Sequence, residues 1–255
     1  MTGHLAFGLE GKVVMVTGGA GAIGRAVCEG FAEAGARVVV VDVEDGAAGR
    51  VAGELGACHR ALAADLRDAP SLDPLVERAE REAGPIDALV NMAGVILRTS
   101  DLLSVTERDW DAQYDVNIKG LFFLSQAVAR RMIGAGREGA IVNYTSQGWM
   151  SGGFAGSVVY NSAKGAVTTI TRGMARSWAP HAIRVNAVAP GLVETPMLVG
   201  PGTTAEQRAA LDASVPLGRI GVPGDHVGAT VFLASRMARY MTGATVNVSG
   251  GFLMY

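Results

Sequence analysis

The sequence predicts an α/β fold in a single domain, a doubly wound parallel sheet of about seven strands with helices on both faces. Two observations carry this. Short apolar runs alternate with segments of helical periodicity along all 255 residues, and strands separated by helices of about ten residues or more close as parallel βαβ units. Hydrophobic residues make up 49% of the chain and charged residues 18%, enough apolar mass to cover both faces of such a sheet. No linker, repeat or composition break divides residues 1–255.

Residues 12–17 (KVVMVT) form an apolar run without alternation, the pattern of a strand buried on both sides. Glycines follow, then a helical stretch over 23–34. Residues 37–42 (RVVVVD) repeat the buried-strand pattern and lead into an Ala-rich helix over 45–55. A weaker strand over 58–64 ends at Asp65, and 70–83 read as an exposed amphipathic helix. Residues 87–91 (DALVN) are the fourth strand, followed by one long helix over 108–134 and a strand at 140–144 (AIVNY). A helix over 157–178, a strand at 183–188 (IRVNAV), a helical segment over 205–214 and a last strand at 244–248 (ATVNV) complete the order.

Charge and cysteine content narrow the function classes. A net charge of -2 without any basic block argues against a nucleic-acid partner. Cys28 and Cys58 are too few for a disulfide scaffold and form no CxxC, so a cytoplasmic setting is expected. His4, His59, His181 and His226 are isolated, without metal-ligand spacing, and no metal is expected. The N-terminus lacks a charged segment followed by an apolar one, and the apolar runs are short and broken by charge. Neither a leader nor a membrane partner is expected.

Gly19-Ala-Gly-Ala-Ile-Gly24 follows the first strand and opens a helix. Glycines permit the tight turn and let backbone N–H groups approach a pyrophosphate at the helix N-terminus. In a chain with 35 glycines this spacing alone is weak; the strand before it, the helix after it and Asp42 give it weight. Asp42 ends the second strand, where a carboxylate takes the adenine ribose hydroxyls. Its other reading is a cap for the following helix. A carboxylate there repels a 2′-phosphate, and no Arg or Lys stands in 18–23 to receive one. NAD is therefore the expected cofactor, with NADP disfavoured at least about tenfold.

Tyr160 and Lys164 stand four residues apart, one helical turn, so phenol and ammonium share a helix face. An unperturbed tyrosine titrates near ~10; lowering that by about 3 units takes ~4 kcal/mol, within reach of a close cation and a charged cofactor ring. Such a tyrosine exchanges a proton with an alcohol or carbonyl near neutral pH. The plain alternative is a surface Tyr–Lys pair without chemistry.

Together these residues resemble the short-chain dehydrogenase/reductase family, and the similarity runs nearly the full length. The glycine motif TGxxxGxG resembles Thr17-Gly-Gly-Ala-Gly-Ala-Ile-Gly24, with Ala22 where the family has glycine. It implies that Gly18, Gly21, Ile23 and Gly24 meet the pyrophosphate. Asp65-Leu66 resembles the pair that contacts adenine. Asn91-Met-Ala-Gly94 resembles the NNAG motif, with Met92 replacing its second Asn and with Asn91 and Gly94 implied at the cofactor. Asn117, Ser146, Tyr160 and Lys164 fall where the catalytic tetrad stands. Pro190-Gly-Leu-Val-Glu-Thr195 resembles the segment that holds the nicotinamide carboxamide, bringing in Pro190, Val193 and Thr195.

The resemblance implies a Rossmann-type fold and hydride transfer between NAD and a secondary alcohol or ketone. Tyr160 is then the base in oxidation and the acid in reduction. Lys164 lowers its pKa and binds the nicotinamide ribose, Ser146 hydrogen-bonds the substrate oxygen, and Asn117 holds a water that links the lysine to solvent. It also implies a homotetramer packed through the helices that carry Asn117 and Tyr160. The interval from Ser146 to Tyr160 is 14 residues, one more than in many members, which a single insertion within 147–159 explains. Thr145 and Ser151 are the lesser serine candidates.

The small-molecule substrate is less legible. Residues 193–216 carry Met197, Leu198, Gly200, Gly202 and the helical segment, and suit a lid. Trp149, Met150 and Phe154 either wall an apolar pocket or pack elsewhere. Arg98, in a stretch (94–103, on to 109–111) that resembles sugar-acid dehydrogenases of the family, can grip a carboxylate bidentately or pair with Asp101. The expected substrate is a sugar, sugar acid or polyol. The alternatives are reduction of a β-ketoacyl thioester or other apolar ketone, and a non-catalytic dinucleotide-binding protein.

Overall fold

The computed structural model describes residues 7–153 and 156–255, so His4 and Phe154 lie outside the described residues. β1 (Val13–Thr17) leads through α1 (Ala22–Glu33) to β2 (Arg37–Asp42), and α2 (Asp45–Leu55) leads to β3 (Arg60–Ala63). From there α3 (Leu72–Ala83) returns the chain to β4 (Ile86–Asn91). β4 reaches β5 (Gly139–Tyr144) through α4 (Glu107–Tyr114) and α5 (Leu121–Gly134). β5 reaches β6 (Ile183–Pro190) through the short α6 (Gly148–Ser151) and α7 (Val158–Trp178). α8 (Ala205–Ala213) and α9 (Val227–Ala234) precede β7 (Thr245–Val248).

The strands form a seven-stranded sheet in the order β3-β2-β1-β4-β5-β6-β7, every pair parallel. Successive strand residues point to opposite faces, and β1 shows it: Val13 and Met15 enter the core beneath α3, α5 and α7, Val14 and Val16 that beneath α1, α2 and α9. Winding runs from β1 toward β3 on one side and from β4 toward β7 on the other. The carboxyl ends of β1 and β4 therefore splay their connections apart, which opens a crevice there.

Two elements differ from expectation. The long helix over 108–134 is broken: α4, capped by a reciprocal Thr106–Asp109 box, passes into a π-helical segment at Asp115–Gly120 before α5. That segment packs against the loop after β3, where a Cβ on Gly120 would lie 2.5 Å from the Leu66 carbonyl oxygen. α9 has no counterpart in the sequence reading. It packs on α1 at Gly30, where a Cβ would come within 2.2 Å of Val227. Among the described residues no helix is long and apolar enough to cross a membrane, and no group of three His, Cys, Asp or Glu could hold a metal ion.

Candidate active site

A cleft of about 1530 Å³ opens at the carboxyl ends of the strands. Its first half grows out of the turn after β1. Gly18 adopts φ +66, and a Cβ there would lie 2.8 Å from the Ala93 backbone. Gly24 has no room either, because its Cβ would fall 2.0 Å from the Gly18 carbonyl oxygen. The Thr17 hydroxyl accepts from the N–H groups of Met92 (3.1 Å) and Ala93 (3.3 Å), tying the β1 and β4 ends together. α1 begins at Gly21 with no side-chain cap and no acidic residue in its first turn. Its leading N–H groups are thus left for an anion. Ala22 sits exposed on that turn, and Gly21 has an ordinary φ of -68.

Asp42 faces this turn. Its carboxylate accepts from Ala20 N (3.0 Å) and Val43 N (2.8 Å), while the N-cap of α2 is Glu44, without a side-chain bond. The helix-cap reading of Asp42 does not hold. Asp65 and Leu66 also line the cleft. The Arg67 guanidinium, 2.6 Å from Asp65, holds that carboxyl below the usual carboxylate range and is itself occupied. A cradle that only glycine fits, an uncapped helix start and a carboxylate at the end of β2 fit a dinucleotide.

Asn91 stands at the end of β4. Its side chain is buried and donates to Ser125 Oγ and Asn143 Oδ1, each at 2.9 Å, beneath the cleft rather than in its wall. Asn117 is likewise buried: its amide donates to the Val95 and Gln113 carbonyls (2.8 Å each), and its Oδ1 accepts from Val95 N at 3.2 Å. The side chain therefore shapes the loop after β4. A Cβ on Gly94 would meet Asn117 Oδ1 at 2.8 Å and Lys164 Nζ at 3.4 Å, so Gly94 is where these groups converge.

Tyr160 and Lys164 share a face of α7 and line the cleft. Lys164 is buried; its Nζ donates to the Tyr144 carbonyl at 2.9 Å and lies 5.5 Å from the centre of the Tyr160 ring. Burial pushes Lys164 down to about 8. It also pushes Tyr160 up to about 12, opposed by the positive charge of Arg98. Lys164 Nζ stands beside the ring, and the charge of Arg98 opposes the effect of burial on Tyr160.

Ser146 lines the cleft, and its Oγ accepts from Gly148 N at 3.1 Å. Thr145 donates its hydroxyl to the Lys164 carbonyl (2.6 Å), and Ser151 donates to the Gly148 carbonyl (3.3 Å). Of the three, only Ser146 keeps its hydroxyl hydrogen uncommitted among the described residues. Pro190, Val193 and Thr195 reach the cleft from the end of β6.

On the substrate side, Arg98 lines the cleft and is exposed. Asp101 is not its partner: that carboxylate accepts from Leu103 N at 3.0 Å. Met197 lines the cleft, with α8 beyond it held by a Thr204–Gln207 capping box and by Arg208, which pairs with Glu194 (2.8 Å) and Asp212 (3.2 Å). Trp149 is not a wall residue. It packs edge-on against Tyr255 at 5.8 Å, and Gly165 of α7 lies beneath its Cβ. The sequence reading missed Gln147, Asn161 and Phe252 in the lining. Only their neighbours in the chain, Ser146 and Tyr160, could have signalled the first two.

Comparison with known proteins agrees with this arrangement. A family model described as enoyl-(acyl carrier protein) reductase matches residues 18–253. The chain is 40% identical to 2-dehydro-3-deoxy-D-gluconate 5-dehydrogenase of Escherichia coli over 97% of its length and 98% of that protein's. It is also 40% identical to a galactitol 2-dehydrogenase (L-tagatose-forming) of Cereibacter sphaeroides, covering 98% of each. Its fold superposes on a 3-ketoacyl-(acyl-carrier-protein) reductase of Brucella melitensis complexed with NADH (TM-score 0.90, 34% identity, 96% of this chain and 100% of that one). A Beutenbergia cavernae chain with bound NADP at low occupancy is similar too (TM-score 0.89, 35% identity, 97% and 98%). Sequence match, superposition and cleft agree: the chain belongs to the short-chain dehydrogenase/reductase family, oxidoreductases of CH–OH groups that use a nicotinamide dinucleotide.

Proposed function

We propose that this protein is an NAD-dependent dehydrogenase of a sugar acid or closely related polyhydroxy compound. The observation that carries the substrate class is Arg98, an exposed guanidinium in the cleft wall with no carboxylate partner among the described residues, close enough to bias Tyr160. A carboxylate-bearing substrate would give it a bidentate partner. The preference for NAD rests on Asp42, whose carboxylate would oppose a 2′-phosphate, and on Arg67 being paired with Asp65. The kinship to sugar-acid and polyol dehydrogenases supports the same reading.

In this mechanism Ser146 donates its free hydrogen to the reacting oxygen, where charge develops. Tyr160 takes the hydroxyl proton in oxidation and returns it in reduction. The dinucleotide, when bound, supplies the hydride acceptor or donor. Lys164 holds a proton at Nζ, anchored on the Tyr144 carbonyl and 5.5 Å from the centre of the Tyr160 ring, and would bind the nicotinamide ribose. Asn117 acts through Val95 by fixing the floor beside Gly94. A tetramer packed through α4, α5 and α7 and a cytoplasmic setting belong to the proposal.

NADH formation with sugar acids, neutral sugars, polyols and simple secondary alcohols tests it. Highest kcat/KM on an acidic polyhydroxy compound is expected. Activity confined to apolar alcohols, or to β-ketoacyl thioesters in the reverse direction, would overturn the substrate class.

A further inference from the structure

Asn161 follows Tyr160 on α7, is 5% exposed and lines the cleft. Its Nδ2 donates to the Ser157 carbonyl and to Ser157 Oγ, each at 2.8 Å. A main-chain carbonyl only accepts, so the amide is held with Nδ2 toward residue 157. That carbonyl already accepts the Asn161 backbone N–H at 2.9 Å, so the helix does not depend on the side-chain bond. The amide instead stands against α6, the single turn directly after Ser146. A Cβ on Gly148, which opens α6, would fall 1.7 Å from Asn161 Oδ1. A Cβ on Gly153, just past α6, would fall 2.1 Å from Asn161 Nδ2. Four residues along α7, a Cβ on Gly165 would lie 3.8 Å from the Trp149 Cβ, so α6 lies on one face of α7. The Gly148 N–H in turn donates to Ser146 Oγ at 3.1 Å. Asn161 is thus one backbone residue away from the Ser146 hydroxyl.

We propose that Asn161 is a positioning residue for Ser146: its buried amide seats Gly148, whose N–H holds the Ser146 oxygen and leaves the hydroxyl hydrogen for the substrate. The inference rests on the proposed role of Ser146 and deepens it. Tyr160 and Asn161 are consecutive, so one turn of α7 fixes both the proton carrier and the group that steadies the reacting oxygen. A shorter side chain at 161 lets Gly148 settle toward α7 and carries Ser146 with it. Displacing a group by about 1 Å at a reacting centre can cost about 100-fold in rate.

The test is a cycle of variants measured for kcat on the best substrate of the wild-type enzyme and for NADH affinity. Ser146→Ala should lower kcat by about 100-fold or more. Asn161→Ala should lower it by about 10-fold, with NADH affinity within about twofold and the alkaline limb of the pH profile in place. In the Ser146→Ala background the same substitution should change kcat by less than about twofold, because its effect runs through the missing hydroxyl. An equal loss in both backgrounds would make Asn161 a general brace of the cleft, and a shifted limb would route its effect through Tyr160. Either result overturns the assignment, as does an unchanged kcat in Asn161→Ala. A near-normal Ser146→Ala enzyme would instead overturn the proposed role of Ser146 itself. If Asn161→Ala does not fold, Gly148→Ala probes the same contact from the other side. A loss of about 10-fold or more in kcat is then expected, and no loss would overturn the proposal.

Discussion

The two halves of the cleft are built on different principles. The cofactor half stands on strand ends, with backbone against backbone: Gly18 on Ala93, Gly24 on the Gly18 carbonyl, Thr17 on the loop after β4. At Gly18 and Gly24 no methyl can be added without moving main chain. The substrate half is assembled from the segment after Ser146, the stretch carrying Met197 and α8, and the tail ending at Tyr255, joined through side chains such as Arg208, Gln147 and Trp149. One half is specified by what cannot fit and the other by side chains that can be exchanged. A common cofactor chemistry and a variable substrate chemistry follow from that difference.

The largest effect should come at the junction of the halves. Tyr160→Phe removes the proposed proton carrier and should lower turnover by at least about 1,000-fold, with NADH affinity, measured by fluorescence titration, within a few-fold of wild type. Substantial residual turnover would assign the proton to another group. In the cofactor half, Gly24→Ala places a methyl on the Gly18 carbonyl and should weaken dinucleotide binding by about 100-fold or more. A variant that binds NADH normally would show the turn to be plastic. Asp42→Ala should narrow the NAD-to-NADP ratio of kcat/KM by about tenfold, chiefly by admitting NADP.

Arg98→Ala sharpens the comparison from the substrate side. It should raise KM for an acidic substrate by about tenfold and leave NADH binding alone. It also has a pH signature. Burial holds Tyr160 near 12 and the Arg98 charge pulls it down, so removing that charge disfavours the phenolate. Oxidation needs the phenolate, and its rate should rise with pH along a limb that moves to more alkaline values in Arg98→Ala. A limb that stays in place would separate Arg98 from the proton chemistry. The smallest effect is expected for Trp149→Phe, which faces Tyr255, with kcat/KM changed less than about twofold.

Legibility in the sequence follows the same division. β2 and α2 stand within the residues expected, because an unbroken valine run and an Ala-rich stretch between glycines admit no other register. The glycine turn, Asp42 and the Tyr160–Lys164 pair were readable since backbone and helix spacing alone place them. Helical periodicity continues through Asp115–Gly120, so the π segment left no trace in the pattern. α9 is apolar on nearly every side and carries no amphipathic stripe. Asn91 and Asn117 were placed correctly in the chain, but their side-chain directions are set by Asn143, Gln113 and Val95, which spacing does not encode. The two readings of Trp149 are separated only by its contact with Tyr255, which spacing does not encode either. Gln147 has no signature at all; the tail that folds onto it supplies its partner.

The most direct measurement varies both halves at once: kcat/KM of the wild-type enzyme with NAD or NADP for a gluconate-like acid, and with NADH or NADPH for a β-ketoacyl thioester. The account predicts that NAD with the sugar acid exceeds every other combination by at least about tenfold. NADPH with the thioester as the best pair would contradict it in both halves.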